Sequence, residues 1–337
     1  MRKINLILAI IGLASLNYSC YNEDKLTPSG QFIPSGLPFP QGDNPWDKDI
    51  VELHNTYGVY VFYKDVTEAL LNRDWTSAGT GDIYTGGDLN NDKVQFYVDF
   101  IKNDVFKYVN KDLVTKTLPV RLYLLDNFRT RPRIEVDDDD DTGTGGTDTD
   151  TGTGGTDGTG TTDPRFIPFY AEGFDYWALS FTDDEIQNLT HEARRLRSVP
   201  FIYQMLKKAV LNEIITNPSE ILEDVDTKSS FRNTDPEDPN HCFNRGFPES
   251  LSQDFKTANK PWHPSVYFHP TDSEYYPHGD FLNLIRNNMW YSEAEIEAKY
   301  PQAKYPLLRK RLNIVYRHLL DNYGIDLKAI GADSDAN

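Results

Sequence analysis

One apolar stretch, residues 200–217 (PFIYQMLKKAVLNEIITN), most constrains the fold of this chain. At about 100° per residue, its large apolar side chains fall on a single face of an α-helix, while two lysines point away from that face. The apolar face consists of Ile202, Met205, Leu206, Ala209 and Val210. The pattern predicts a mostly buried helix that packs on a core.

An acid interrupts this helix. Glu213 falls near the centre of the apolar face, and Asn212 and Thr216 lie to one side of it, one turn apart. An ionisable group in an apolar stripe is costly unless it is paired, so the helix predicts a functional site around Glu213. The alternative is that the last turn emerges into solvent before Pro218, which would leave Glu213 as an ordinary exposed acid. The helix alone favours neither reading.

The net charge excludes one class of partner. The 337-residue chain carries a formal net charge of −18, and its hydrophobic content of 38% is ample for a packed core. Residues 137–163 contain nine Asp and no Lys or Arg, so they supply half of that charge. Because the remainder has no basic face, nucleic-acid binding is not expected.

The N-terminus predicts export. Arg2 and Lys3 precede an apolar run over residues 4–16 that is too short to span a bilayer comfortably, which is typical of a secretory signal over residues 1–19. Ser19-Cys20 resembles the lipobox of bacterial lipoproteins. We therefore expect an exported lipoprotein that is anchored through Cys20.

A Pro/Gly-rich tether is predicted over residues 20–45. If Cys20 carries lipid, Cys242 has no partner for an intrachain disulfide. The alternative is a simple cleaved signal with Cys20 and Cys242 free or paired.

Residues 137–164 are almost entirely Asp, Gly and Thr, and they contain TGTGGTD twice. Such a segment cannot bury enough apolar surface to offset its ordering entropy. It is predicted to be a disordered insert within one domain that spans residues 46–331.

The rest of the chain mixes strands and helices without a βαβ repeat. Predicted strands cover residues 59–63, 118–125 and 174–181, and predicted helices cover 47–57, 94–109, 182–196, 200–217, 280–290 and 306–323. This order favours an α+β fold with a small mixed sheet packed on helices.

The frame of a zinc protease motif is present without its ligands. In H-E-x-x-H, two His one turn apart bind Zn²⁺ and the Glu activates water. The corresponding frame here is Asn212-Glu213-Ile214-Ile215-Thr216, which keeps the Glu and lacks both His.

Four further segments carry a family resemblance. They are residues 57–62 (YGVYVF), 118–126 (LPVRLYLLD), 305–311 (YPLLRKR) and 323–327 (YGIDL). In order and spacing the chain resembles the gluzincin-like, lipoprotein zinc-binding metallopeptidases that accompany TonB-dependent nutrient importers. The resemblance implies a zincin-like domain, an outer-membrane lipoprotein that faces the cell surface, and components of such an importer as partners.

The resemblance does not extend to the zinc ligands. The third ligand of the family comes from a helix resembling E-D-F-A-E, and the matching residues 279–283 (GDFLN) have no Glu at either end. Asn212, Thr216 and Asn283 are neutral groups that poorly replace imidazole or carboxylate on zinc. No zinc cofactor is therefore expected, and Glu213 is interpreted as the remnant of a catalytic motif in a non-catalytic binding or accessory protein.

Two alternatives stay open. One is an active zinc hydrolase that uses other ligands, although their spacing matches no metal motif: His241, Cys242, His263, His269 and His278. The other is a surface module that binds glycan or peptide through aromatic side chains near the expected cleft. These aromatic residues are Trp262, Tyr267, Tyr275, Tyr276, Trp290 and Tyr291.

Overall fold

The computed structural model describes residues 36–73, 82–131, 165–173, 175–252, 254–264 and 278–332. By backbone contacts the chain divides into Met1–Pro38 and Phe39–Asn337, and the fold below is that of the second unit. The predicted signal, Cys20, most of the tether, the insert at 137–164 and His269 lie outside the described residues. Within those described ranges, no helix is both long enough and apolar enough to cross a membrane.

The fold is α+β, as predicted, with a mixed six-stranded sheet packed against helices. The strands are β1 (Tyr60–Phe62), β2 (Ile83–Gly87), β3 (Arg121–Arg131), β4 (Arg165–Phe166), β5 (Phe169–Tyr170), β6 (Tyr176–Phe181) and the separate hairpin β7 (Ser250–Leu251) and β8 (Ala258–Asn259). The first helices are α1 (Pro45–Tyr57), α2 (Glu68–Leu71), α3 (Asn91–Phe100), α4 (Lys111–Thr117) and α5 (Asp183–Gln187). They are followed by α6 (His191–Leu211), α7 (Gly279–Trp290), α8 (Glu293–Lys299), α9 (Pro306–Tyr323) and α10 (Leu327–Ala332).

Strand β3 organises the sheet. Its first half pairs in parallel with β1 and β6, placing Leu122 beside Val61 and Trp177. Its second half pairs antiparallel with β2 and β4, which places Thr130 beside Arg165. β5 runs antiparallel to β6 and ends the sheet on that side.

The two faces of the sheet differ because strand side chains alternate. One face contributes Leu122, Leu124 and Leu179 to the main core, where α6 adds Phe201 and Ile202. The other face carries a row of aromatic rings with neighbouring centroids 4.6–6.1 Å apart. The row consists of Phe62, Tyr123, Tyr176, Tyr170 and Tyr84.

Helix α6 differs from its prediction at both ends. It begins after Thr190, whose side-chain oxygen accepts a hydrogen bond from the Ala193 N–H, and it keeps Pro200 inside it. It ends at Leu211, so the predicted helix over residues 200–217 is wrong in both bounds. Pro often marks a helix start. Here the residues before and after Pro200 are both buried, and this packing keeps the helix continuous through the proline. At the other end, Glu213 adopts a left-handed backbone conformation with φ of 57°, which a helix cannot contain.

Candidate functional site

The three residues of the predicted motif lie on an exposed turn. Asn212, Glu213 and Thr216 follow the end of α6 and face solvent. The turn is held on α9, since the Thr216 N–H donates to the Tyr323 hydroxyl (3.0 Å) and the Thr216 carbonyl is 2.7 Å from His318 Nε2. Of the two readings of Glu213, the structure shows the second, in which the chain emerges into solvent before Pro218 and Glu213 is an exposed acid.

Asn283 lies elsewhere and has another task. It is fully buried in α7, where its Oδ1 accepts a hydrogen bond from the Leu251 N–H (3.3 Å) and its Nδ2 donates to the Glu249 carbonyl (3.0 Å). Both ends of its amide thus hold β7 on α7. The amide of Asn283 is used in these two hydrogen bonds, and the other three residues of the predicted site are exposed on a turn. This set of residues does not fit a zinc ion.

The histidines that the structure describes do not converge on a metal centre. His241 is fully buried, and its Nδ1 accepts the Phe243 N–H (3.2 Å). His263 packs against Trp262, and His278 Nδ1 lies 3.1 Å from Asn217 Oδ1. Burial lowers the pKa of both His241 and His278. In the part of the chain that the structure describes, no group of three or more His, Cys, Asp and Glu is placed to hold a metal.

Among the described residues, a cleft of about 470 Å³ lies between the edge of the sheet and α6 and forms a candidate site. The segment that contains β4 and β5 forms one wall, together with Tyr84 of β2 and Thr130 of β3. Asp254 and Lys256, from the turn between β7 and β8, line another side. We call this space the edge cleft.

One face of α6 lines the edge cleft. Leu196, Pro200 and Gln204 all border it, and their spacing of four residues places them on one side of the helix. Pro200 has no N–H, so it cannot form the helical hydrogen bond to the Leu196 carbonyl. This helix face contributes one neutral amide side chain and no ionisable group to the edge cleft.

The sheet side of the edge cleft is aromatic. The rings of Tyr84 and Tyr170 are 4.6 Å apart at 43°, and Tyr84 stacks on Phe128 at 5.9 Å. Burial, assisted by a hydrogen bond with Tyr84, raises the pKa of the Tyr170 phenol. Beside them, the Thr130 hydroxyl is buried and has no hydrogen-bond partner in the described structure. The wall therefore combines apolar ring surface with an unsatisfied polar atom.

Charged side chains surround the opening with nearly balanced sign. Asp82, Glu172 and Asp254 supply three carboxylates, and Arg165 and Lys256 supply two cations. Lys256 Nζ lies 3.9 Å from Asp254 Oδ2, and more than half of each side chain is exposed. Such an exposed pair contributes little stability.

The sequence did not reveal this site because its residues come from several separated segments. The described residues among the predicted glycan-binding aromatics do not line the edge cleft. Trp262 is 69% exposed, and Trp290 packs under the Arg195 guanidinium at 4.0 Å. Tyr267, Tyr275 and Tyr276 lie outside the described residues. The available signal was Pro200 inside an apolar helical pattern, because a helix-interior proline leaves one carbonyl without its usual partner.

Comparison with known proteins gives a distant likeness. No family model matches the sequence, and no curated protein matches it. Among solved structures, the chain is similar to the crystal structure of "a putative zinc-binding metallo-peptidase" from Bacteroides caccae ATCC 43185, with 12% identity and a TM-score of 0.44. The match covers 85% of this chain and 88% of the other. At that TM-score the likeness carries no conclusion about activity.

Proposed function

We propose that this protein binds a ligand in the edge cleft without hydrolysing it and without a zinc ion. The observation that carries the proposal is the cleft-facing side of α6, where Leu196, Pro200 and Gln204 stand. A zinc peptidase needs imidazole or carboxylate ligands and a general base at its cleft. On this helix, Leu196, Pro200 and Gln204 supply neither a zinc ligand of that kind nor a general base.

The lining of the edge cleft supports binding. Small-molecule sites are concave, mostly apolar and supplied with a few polar groups, and they occupy about 300–1,000 Å³. The edge cleft has this volume, an aromatic wall and the buried hydroxyl of Thr130.

The setting of the proposal comes from the sequence. A signal over residues 1–19 and a lipidated Cys20 would place the protein on the outer membrane. The resemblance to zinc-binding metallopeptidases of nutrient-import loci then makes it a zincin-like accessory protein that has lost its zinc ligands. Components of a TonB-dependent importer are its proposed partners.

Metal content and peptide hydrolysis test the proposal together. The purified full-length chain is incubated with ZnCl₂, freed of unbound metal, and analysed for zinc by mass spectrometry. It is also assayed against casein and a fluorogenic peptide library. We expect far less than one zinc per chain and no hydrolysis above that of buffer.

Glu213→Gln serves as the matched variant, because it removes the one acid of the motif frame without changing its size. Under the proposal it behaves as the parent protein in both assays. Stoichiometric zinc together with chelator-sensitive hydrolysis would contradict the proposal. If Glu213→Gln also abolished that hydrolysis, Glu213 would be a catalytic residue and not the remnant of a motif.

A further inference from the structure

We infer that the edge cleft binds a neutral oligosaccharide, with Tyr84 and Tyr170 as the residues that stack on its sugar rings. This inference rests on the proposed function, because it names the ligand class of the same site.

The aromatic wall is suited to sugar rings. Tyr84 and Tyr170 are both partly exposed, so each has ring surface available to a ligand. Each is supported from behind, Tyr84 by Phe128 at 5.9 Å and Tyr170 by Tyr176 at 5.7 Å. A supported ring loses little freedom on binding, and the C–H face of a sugar packs on such a surface as other apolar groups do.

The polar groups are suited to hydroxyls. Carboxylates and guanidinium groups form paired hydrogen bonds, which adjacent sugar hydroxyls can satisfy as donors and acceptors. Asp82, Arg165 and Glu172 line the edge cleft, and none of them forms an ion pair with another described residue. They are therefore available to a ligand.

Two further polar groups belong to residues that line the edge cleft. The Thr130 hydroxyl is buried in a residue that is 5% exposed, and it has no hydrogen-bond partner among the described residues. The Leu196 carbonyl lacks the helical N–H that position 200 would otherwise supply. An unpaired buried polar group is destabilising, and a ligand hydroxyl can pair with either a donor or an acceptor.

The charges favour a neutral ligand. Three carboxylates and two cations line the edge cleft, so its net charge is −1. One of the carboxylates, Asp254, is already beside Lys256. This near balance gives no strong attraction to either an anionic or a cationic polymer.

The edge strand disfavours a peptide. Strand addition needs a row of free N–H and C=O groups, but β5 is only two residues long and follows Pro168, which has no N–H. The Pro168 carbonyl accepts a hydrogen bond from the Ser180 N–H of β6, and backbone groups alternate in direction along an antiparallel strand. Phe169 is therefore the residue of β5 whose backbone groups point away from β6. Short strands and prolines are the features that protect sheet edges from pairing.

Affinity electrophoresis tests the inference. The purified full-length chain is run in native gels that contain dextran, soluble starch, galactomannan or xylan, beside a gel without polysaccharide. We expect at least one of the four to retard it. Tyr84→Ala and Tyr170→Ala should each weaken that association about tenfold, since one aromatic contact contributes roughly this factor.

Two variants make the result specific. Tyr84→Phe keeps the ring and should lose less affinity than Tyr84→Ala, which separates stacking from the loss of a hydroxyl. Tyr316→Ala removes a similarly half-buried ring on α9, outside the edge cleft, and should be retarded as the parent is. Thermal melts of every variant confirm that it is folded.

The outcomes separate this inference from the proposed function. The inference of an oligosaccharide ligand is overturned if no polysaccharide retards the parent chain. It is also overturned if folded Tyr84→Ala and Tyr170→Ala are retarded as much as the parent is. The same holds if a peptide library binds in a Tyr84-dependent way and the polysaccharides do not. None of these results affects the zinc and hydrolysis measurements, on which the non-catalytic role depends.

Discussion

Asp280 of α7 and Arg311 of α9 form a buried ion pair. Asp280 is 1% exposed and Arg311 is fully buried. The Arg311 guanidinium donates to Asp280 Oδ2 and also to the carbonyls of Ile221 and Gly246. Burial raises the pKa of the Asp280 carboxyl, and Arg311 opposes that rise. One guanidinium thus joins two helices and two loops.

Removing the negative charge should be costly. Asp280→Asn keeps the shape of the side chain but leaves the Arg311 charge buried without its partner. We expect the free energy of unfolding to fall by about 3–5 kcal/mol, measured by urea denaturation. Asp321→Asn, at an exposed position on α9, should change it by less than about 0.5 kcal/mol. Equal effects of the two substitutions would refute the role given to the pair.

The thiol of Cys242 is predicted to be inert. It is fully buried, and burial raises its pKa to about 12. Because the thiolate is the reactive form, Ellman's reagent at pH 8 should not modify it in the folded chain. Parent and Cys242→Ser should therefore give the same thiol count when folded and differ by one in guanidinium. A difference of one in the folded chains would show that Cys242 is accessible.

At the scale of elements, Pro200 makes α6 less stable and is proposed to help the edge cleft bind its ligand. Pro200 interrupts the hydrogen-bond ladder of a 21-residue helix at the edge cleft. An interior proline costs about 3 kcal/mol relative to alanine, and the two extra buried CH₂ groups of its ring recover about 1.6 kcal/mol. The proline remains unfavourable for folding by about 1 kcal/mol.

Pro200→Ala should consequently stabilise the protein and weaken the binding of its ligand. We expect a gain of about 1 kcal/mol in unfolding free energy, measured by urea denaturation. The new N–H would take up the Leu196 carbonyl and remove it from the edge cleft, so retardation by the polysaccharide should decrease. Ser198→Ala, at a buried position of the same helix that does not line the cleft, should leave retardation unchanged. A Pro200→Ala protein that is destabilised would contradict this account.

Elements were predictable from sequence to the extent that local signals marked them. Helix α9 follows its prediction at both ends, because Pro306 and Gly324 bracket it. Strand β3 was predicted in its first half only, since the prediction covered residues 118–125 and the strand runs from Arg121 to Arg131. Its polar second half is extended because it pairs with β2 and β4. α6 was not predictable in its bounds. Pro200 is a local signal for a helix start, but tertiary packing places it inside the helix. At the other end, the left-handed backbone of Glu213 does not allow the helix to continue.

At the scale of the whole molecule, the α+β class could be predicted and the edge cleft could not. Alternating strands and amphipathic helices are local patterns, so they reveal the class of fold. The edge cleft depends on which strand ends beside which helix, and Tyr84, Thr130, Tyr170 and Gln204 come from four separate elements. The near motif at Asn212–Thr216 follows the end of α6 and does not line the edge cleft, and a helical wheel cannot show this because it does not indicate where a helix stops.

The same topology makes a prediction about the Asp-rich insert. The chain leaves the sheet after Arg131 and returns at Arg165, where β3 and β4 pair with Thr130 beside Arg165. Neighbouring strands are about 4.8 Å apart, so a short connection can replace the long one. Deleting residues 137–163 leaves residues 132–136 and 164 to join the strands. The deletion also removes nine Asp, which changes the net charge from −18 to −9.

We expect the deletion to stabilise the protein by about 1 kcal/mol, since a shorter connection loses less entropy when its ends are brought together. Urea denaturation measures this, and circular dichroism confirms that the fold is kept. A variant with all nine Asp of the insert changed to Asn keeps the loop length and reaches the same net charge, so it separates length from charge. A deletion that unfolds the protein would show that the insert belongs to the packed domain. A gain shared by the Asn variant would assign the effect to charge repulsion.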